Sequence, residues 1–112
     1  MDEQKKPDNA LEKTVSLIDT LIPDDCTELA KILLNSRYAS SDLDAICQEA
    51  ARKNGEGFYF KTTHYRFRDP ESREIIKFVA QYSSARHEII EKLAKRIDPQ
   101  RLLLEVPVAY LY

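Results

Sequence analysis

GEGFYFKTTHYRF, residues 55–67, is the stretch that decides the fold of this 112-residue chain. It holds both glycines of the sequence and five of its ten aromatic residues. Before it, apolar residues recur at helical spacing, whereas within it aromatic and β-branched residues give the period of two that is typical of a strand. This change of period predicts a mixed α+β domain. One long strand over 58–68 and a hairpin turning near residues 62–63 both stay open, since no Asn-Gly or Asp-Gly marks a tight turn.

Three helices are predicted before this stretch, over residues 10–22, 26–35 and 41–54. Asp25 and Ser41 are the predicted N-caps of the second and third helices, each with an acidic residue three positions later. The first helix is expected to end before Pro23, because the residue that precedes a proline avoids the helical region. Gly55 is expected to stop the third helix, since glycine readily takes the left-handed conformation.

After the aromatic stretch, Asp69-Pro70-Glu71 predicts the start of one long helix that reaches Ile97, with Ser83-Ser84 as a point where it bends or breaks. Strict alternation over 102–112 predicts a C-terminal strand, and Pro107 places that strand at a sheet edge. Residues 1–8 are expected to form a flexible tail. Residues 9–112 are expected to form a single domain.

The composition favours a cytoplasmic protein that makes no membrane contact. The first nine residues are polar, and no apolar run approaches the length of a transmembrane helix. The two cysteines are 21 positions apart, and neither histidine lies at metal-ligand spacing from them. We therefore expect reduced thiols, no metal, no cofactor and no enzymatic activity.

Charge is unevenly distributed along the chain. Residues 1–49 carry 11 acidic and 5 basic side chains, a net charge of −6, whereas residues 52–68 carry five basic and one acidic side chain, a net charge of +4. Cations beside aromatic rings are typical of surfaces that bind single-stranded nucleic acid, where rings stack on bases and cations follow the phosphates. The sequence thus predicts a small regulatory protein that binds DNA or RNA. The predicted contact residues are Arg52, Lys53, Tyr59, Lys61, His64, Tyr65, Arg66 and Arg68.

A second hypothesis is a protein–protein adaptor, inhibitor or chaperone. It would act through the acidic N-terminal half or through the apolar stripe of the long helix, which could also form a homodimer with the C-terminal strand. The residues of this predicted partner or dimer surface are Ile75, Val79, Tyr82, Ile89, Leu93, Tyr110 and Tyr112. The hypotheses differ in charge placement. Nucleic-acid binding requires the cations of 52–68 to share one exposed face, whereas the adaptor hypothesis expects them to scatter or to pair with carboxylates.

Two resemblances accompany these hypotheses. TELAKIL (27–33) followed by SSDLDAICQEAARKNG (40–55) resembles the second and third helices of a winged-helix domain, and the FYF that follows resembles the start of its wing. The resemblance implies DNA contact, here from the basic end of the third helix and the aromatic ribbon. RYASSDLDAICQEAARK (37–53) resembles the lid-domain helix of AAA+ ATPases over 17 residues, but the sequence has no G-x-x-x-x-G-K-[ST] phosphate loop.

Overall fold

The structure, a computed structural model, describes residues 7–35, 37–97 and 100. Five α-helices and one β-hairpin lie within these ranges. The α+β class predicted from the sequence is confirmed. The helices are α1 (Pro7–Ile18), α2 (Pro23–Leu33), α3 (Ser40–Lys53), α4 (Glu71–Gln81) and α5 (Arg86–Ala94). The strands are β1 (Phe58–Phe60) and β2 (Thr63–Tyr65), and a short 3-10 helix covers Ser83–Ala85. The predicted C-terminal strand, with Tyr110 and Tyr112, lies outside the described residues.

The core lies between the helices, with α3 packed along α4 and α5 packed along α2. The stripe predicted as a partner or dimer surface is part of this core, because Ile75, Val79, Ile89 and Leu93 are all fully buried within the chain. Their assignment to a partner surface is therefore wrong. An amphipathic helix buries its apolar face wherever another helix can cover it, and α2 and α3 do so here. Tyr82 is half-buried beside Phe78.

The predicted long helix is two helices. The backbone leaves the helical region at Tyr82 (φ −127°, ψ 75°), passes through the 3-10 helix Ser83–Ala85 and becomes helical again at Arg86. The break falls at the serine pair, as the alternative prediction allowed. Its consequence is that α5 changes direction and packs on α2, whereas α4 packs on α3.

The aromatic stretch is a hairpin. Phe58 lies opposite Tyr65 and Phe60 opposite Thr63, so the two-residue loop is Lys61-Thr62, one position earlier than expected. Lys61 has a φ of 56°, in the left-handed region that a hairpin turn requires and that a residue with a side chain seldom adopts. The turn was hard to recognise because a lysine, rather than asparagine or glycine, occupies this position.

Helix boundaries differ from the predicted ones where capping was misread. Pro23 is the first residue of α2, with Ile22 as its N-cap, so Asp25 lies inside the helix and does not cap it. Ala39 is the N-cap of α3, and the Asp42 carboxylate accepts the Ala39 N–H at 3.0 Å. Because a proline at the first helical position has no backbone N–H, it needs no capping acceptor there. The Asp25 carboxylate can therefore bind other donors.

Asp25 joins α2 to the segment between β2 and α4. Its side chain is fully buried, and its carboxylate accepts the backbone N–H of Arg68 at 3.2 Å, the backbone N–H of Asp69 at 2.8 Å and the hydroxyl of Ser72 at 2.7 Å. A buried carboxylate is tolerated only when such donors satisfy it. This carboxylate therefore fixes where the hairpin ends and where α4 begins.

We expect Asp25→Ala to lower the free energy of unfolding by roughly 2–4 kcal/mol, since it leaves three donors without their acceptor. The matched control is Asp24→Ala, because the ion pair of Asp24 with Arg68 joins two half-exposed side chains and should contribute less than about 1 kcal/mol. Urea unfolding followed by circular dichroism measures both values. Equal losses in the two variants would contradict the role given to Asp25.

Candidate functional site

The inner face of the hairpin belongs to the core. Phe58, Tyr65 and Phe67 are buried, and the Tyr65 hydroxyl lies 2.9 Å from the Tyr38 hydroxyl. Burial, followed by this hydrogen bond, raises the pKa of Tyr65 far above its ordinary value. The prediction that Tyr65 stacks on bases is therefore wrong, because its ring is only 1% exposed and already packs on Phe67.

The outer hairpin face consists of Tyr59, His64 and Arg66, whose side chains are exposed. Tyr59 is 72% exposed, and its ring meets the His64 imidazole edge-on with centroids 5.0 Å apart. A Cβ at Gly57 would lie 2.3 Å from the His64 Nε2, so glycine leaves the space that the imidazole occupies. The Arg66 Nε–H donates to the Gly55 carbonyl at 3.0 Å. The predicted contact residues Tyr59, His64 and Arg66 thus come together.

Most of the other cations of the 52–68 segment form ion pairs at separate places. Arg52 pairs with Glu49 within α3, and this hydrogen bond lowers the pKa of Glu49. The Lys61 Nζ lies 3.6 Å from a carboxylate oxygen of Asp42, at the N-terminal end of α3. The partner of Arg68 is Asp24 on α2, at 3.5 Å. Lys53, half-buried, ends α3. The cations predicted to form one basic surface are thus spread over α3 and the hairpin region, and most of them are neutralised by carboxylates.

The acidic half of the chain supplies this neutralisation. In addition to these ion pairs, Glu28 accepts the backbone N–H of Arg66 at 2.9 Å, and the Lys31 Nζ donates to the carbonyl of His64 at 3.2 Å. Side chains of α2 therefore satisfy backbone groups on the outer edge of β2 and just beyond it. The contacts of α2 with the hairpin and the segment after it join residues 33 to 44 positions apart, so only the packing of α2 against the hairpin brings these residues together.

A groove lies between α1 and α5, with a volume of about 380 Å³. We call it the α1/α5 groove. It is lined by Leu11, Glu12, Val15, Ser16 and Glu88. Leu11 and Val15 are half-buried, although they belong to the same apolar stripe as the fully buried Ile18. Leu11 and Val15 thus pack against the core on one side and line the groove on the other.

Further along, the same two helices are held together. The Lys92 Nζ lies 3.5 Å from a carboxylate oxygen of Asp19, and Arg96 donates to the carbonyls of Ile18 and Leu21. At the groove, by contrast, two glutamates line the space between α1 and α5, and neither forms an ion pair within the described part of the chain. Apart from the apolar stripe of α1, no sequence pattern indicated this site, because Glu88 reaches the groove only after the break between α4 and α5.

Side chains of metal-ligating and nucleophilic types also lie among residues 7–35, 37–97 and 100. No cluster of three His, Cys, Asp or Glu side chains in these ranges is suited to a metal ion. Cys26 and Cys47 are free and buried, and burial raises the pKa of both thiols. Within the same ranges, the helices lack the length and apolar character needed to span a membrane.

Comparison of the chain with protein-family models, with curated proteins and with solved structures finds no match. Its function is therefore inferred from its own geometry.

We expect Tyr38→Phe and Tyr65→Phe each to destabilise the fold by about 1–2 kcal/mol, since each leaves a buried hydroxyl without its partner. The double variant should lose less than the sum of the two single losses, by about 1 kcal/mol. Urea unfolding of the four proteins in the cycle measures this coupling. Strict additivity would show that the two hydroxyls do not depend on each other.

Proposed function

We propose that this protein is a small protein-binding module, an adaptor that engages a protein partner through the α1/α5 groove. The observation that carries the proposal is the half-buried apolar strip of Leu11 and Val15, flanked by two glutamates without an ion-pair partner in the described chain. Concave sites with an apolar floor and a few polar groups are the usual form of binding sites.

The charge distribution favours this function over broad binding to nucleic acid. Non-specific affinity for nucleic acid comes mainly from cations that neutralise phosphates. Here Arg52, Lys61 and Arg68 each face a carboxylate, and the formal net charge of the whole chain is −2. A phosphate backbone passing over the hairpin would therefore also approach Asp24, Asp42 and Glu49.

Site-specific photocrosslinking in cells tests the adaptor function. We expect a benzophenone amino acid at Ser16, inside the groove, to give a discrete crosslinked protein product. The same amino acid at Gln48, exposed on α3 and outside the groove, is the matched control and should not give that product.

The product should also disappear when Val15→Glu is added, provided that circular dichroism shows the variant folded. A product from Gln48 alone would contradict the groove as the binding site. A product that contains only a second copy of this chain would replace the adaptor with a homodimer.

Contact with single-stranded nucleic acid through the outer hairpin face is the second candidate. The observation in its favour is the 72% exposure of Tyr59, an aromatic ring that neither strand covers and that lies beside His64 and Arg66. One ring can stack on one base and one guanidinium can contact one phosphate, so the face suits one or two nucleotides. Stacking on an aromatic ring contributes roughly 1–3 kcal/mol per base. DNA and RNA satisfy this geometry equally.

For this candidate we expect salt-sensitive fluorescence-anisotropy binding of single-stranded DNA or RNA. Tyr59→Ala and Arg66→Ala should each weaken that binding about fivefold or more. Arg52→Ala serves as control, because its guanidinium pairs with Glu49 away from the outer hairpin face. Equal losses in the control, or no binding at about 20 mM salt, would refute contact through this face.

A further inference from the structure

We propose that the occupant of the α1/α5 groove is an amphipathic α-helix whose polar flanks are basic, supplied by a partner protein. This inference rests on the proposed function and adds the chemical class of the partner. Three features of the groove support this inference. They are the spacing of its apolar residues, the negative charge of the two glutamates at its rim, and the ion pair found beyond it between Asp19 and Lys92.

The floor has the geometry of a helix-packing surface. Leu11 and Val15 are four residues apart on α1, so their side chains lie one turn apart and form a ridge along the helix. Such i, i+4 ridges pack into the grooves of a neighbouring helix. The ridge continues into the fully buried Ile18, which α1 already uses for packing within the chain. A partner helix would therefore extend an existing apolar stripe.

The rim specifies a cationic partner. Glu12 from α1 and Glu88 from α5 both line the groove, and neither has an ion-pair partner among the described residues. Two like charges beside one apolar groove disfavour each other, and burying them against an apolar or acidic partner would add a desolvation cost. A helix with Lys or Arg on both flanks removes this cost, since each glutamate then gains an opposite charge.

The neighbouring turns of α1 and α5 show how the groove depends on charge. Asp19 lies seven residues after Glu12, in the turn that follows α1, and Lys92 lies four residues after Glu88, one turn further along α5. Asp19 and Lys92 form an ion pair at 3.5 Å that joins the turn after α1 to α5. At the groove, α5 carries the acidic Glu88, whereas one turn later it carries the basic Lys92. The charge at position 88 therefore keeps the groove free for a cation from outside the chain.

The test is a titration of the ¹⁵N-labelled full chain with a designed Leu/Lys amphipathic helical peptide of about five turns, followed by heteronuclear NMR. We expect chemical-shift changes centred on Leu11, Val15 and Glu88, and an affinity that falls as salt rises from about 50 to about 300 mM. A Leu/Glu peptide with the same apolar face is the matched probe and should bind at least about fivefold more weakly.

Substitution of Glu88 separates loss of the site from loss of the fold. Glu88→Lys is expected to pair with Glu12, close the groove and weaken the Leu/Lys peptide about tenfold, while the thermal stability stays equal or rises. Glu91→Lys makes the same change of charge on the same helix, at an exposed residue that does not line the groove. We expect this control to bind the peptide within about twofold of the unmodified chain.

Equal affinity for the Leu/Lys and Leu/Glu peptides, or shift changes confined to other surfaces, would overturn the assignment of a basic helix. So would equal losses in Glu88→Lys and Glu91→Lys. If the peptide fails while Ser16 still crosslinks a partner, the protein-binding function stands and only the partner class is wrong. If both fail, the groove is not a binding site.

Discussion

The rest of the structure depends on the buried carboxylate of Asp25. It accepts donors from Arg68, Asp69 and Ser72, so it fixes α2 to the end of the hairpin and to the first turn of α4. Because this side chain is fully buried, any other arrangement would leave either the carboxylate or its donors unsatisfied. Together with the Glu28 and Lys31 contacts, this carboxylate holds the end of the hairpin against α2.

The charge pattern follows from the same constraint. Once α2 lies beside β2, Asp24 meets Arg68 and Glu28 meets the backbone of Arg66. The acidic half of the sequence is thereby used to balance the basic ribbon, and the two most charged regions largely cancel on this side of the molecule. Glu12 and Glu88, which line the α1/α5 groove, form no ion pair among the described residues. For this reason the protein-binding hypothesis explains more of the structure than the nucleic-acid hypothesis.

The sequence was most informative where a pattern is local. Helical spacing predicted α2, α3 and the start of α4 to within a few residues, and the period of two located the hairpin. It was least informative where one residue had two possible roles. Asp25 has the position of an N-cap, yet the helix starts at Pro23 and the carboxylate binds donors more than 40 residues away. The apolar stripe of α4 and α5 gave no indication of whether it packs within the chain or against another copy.

By itself the sequence determined the α+β class, the amphipathic faces of the helices and the uneven charge, and it marked the serine pair as a point where the long helix bends or breaks. These properties follow from spacing along the chain, which a linear pattern records. Only the tertiary structure decided which charges meet, that Tyr65 is buried while Tyr59 is exposed, and that a groove lies between α1 and α5. Each of these depends on contacts between distant elements, because a side chain is buried, paired or left open by whichever element packs against it.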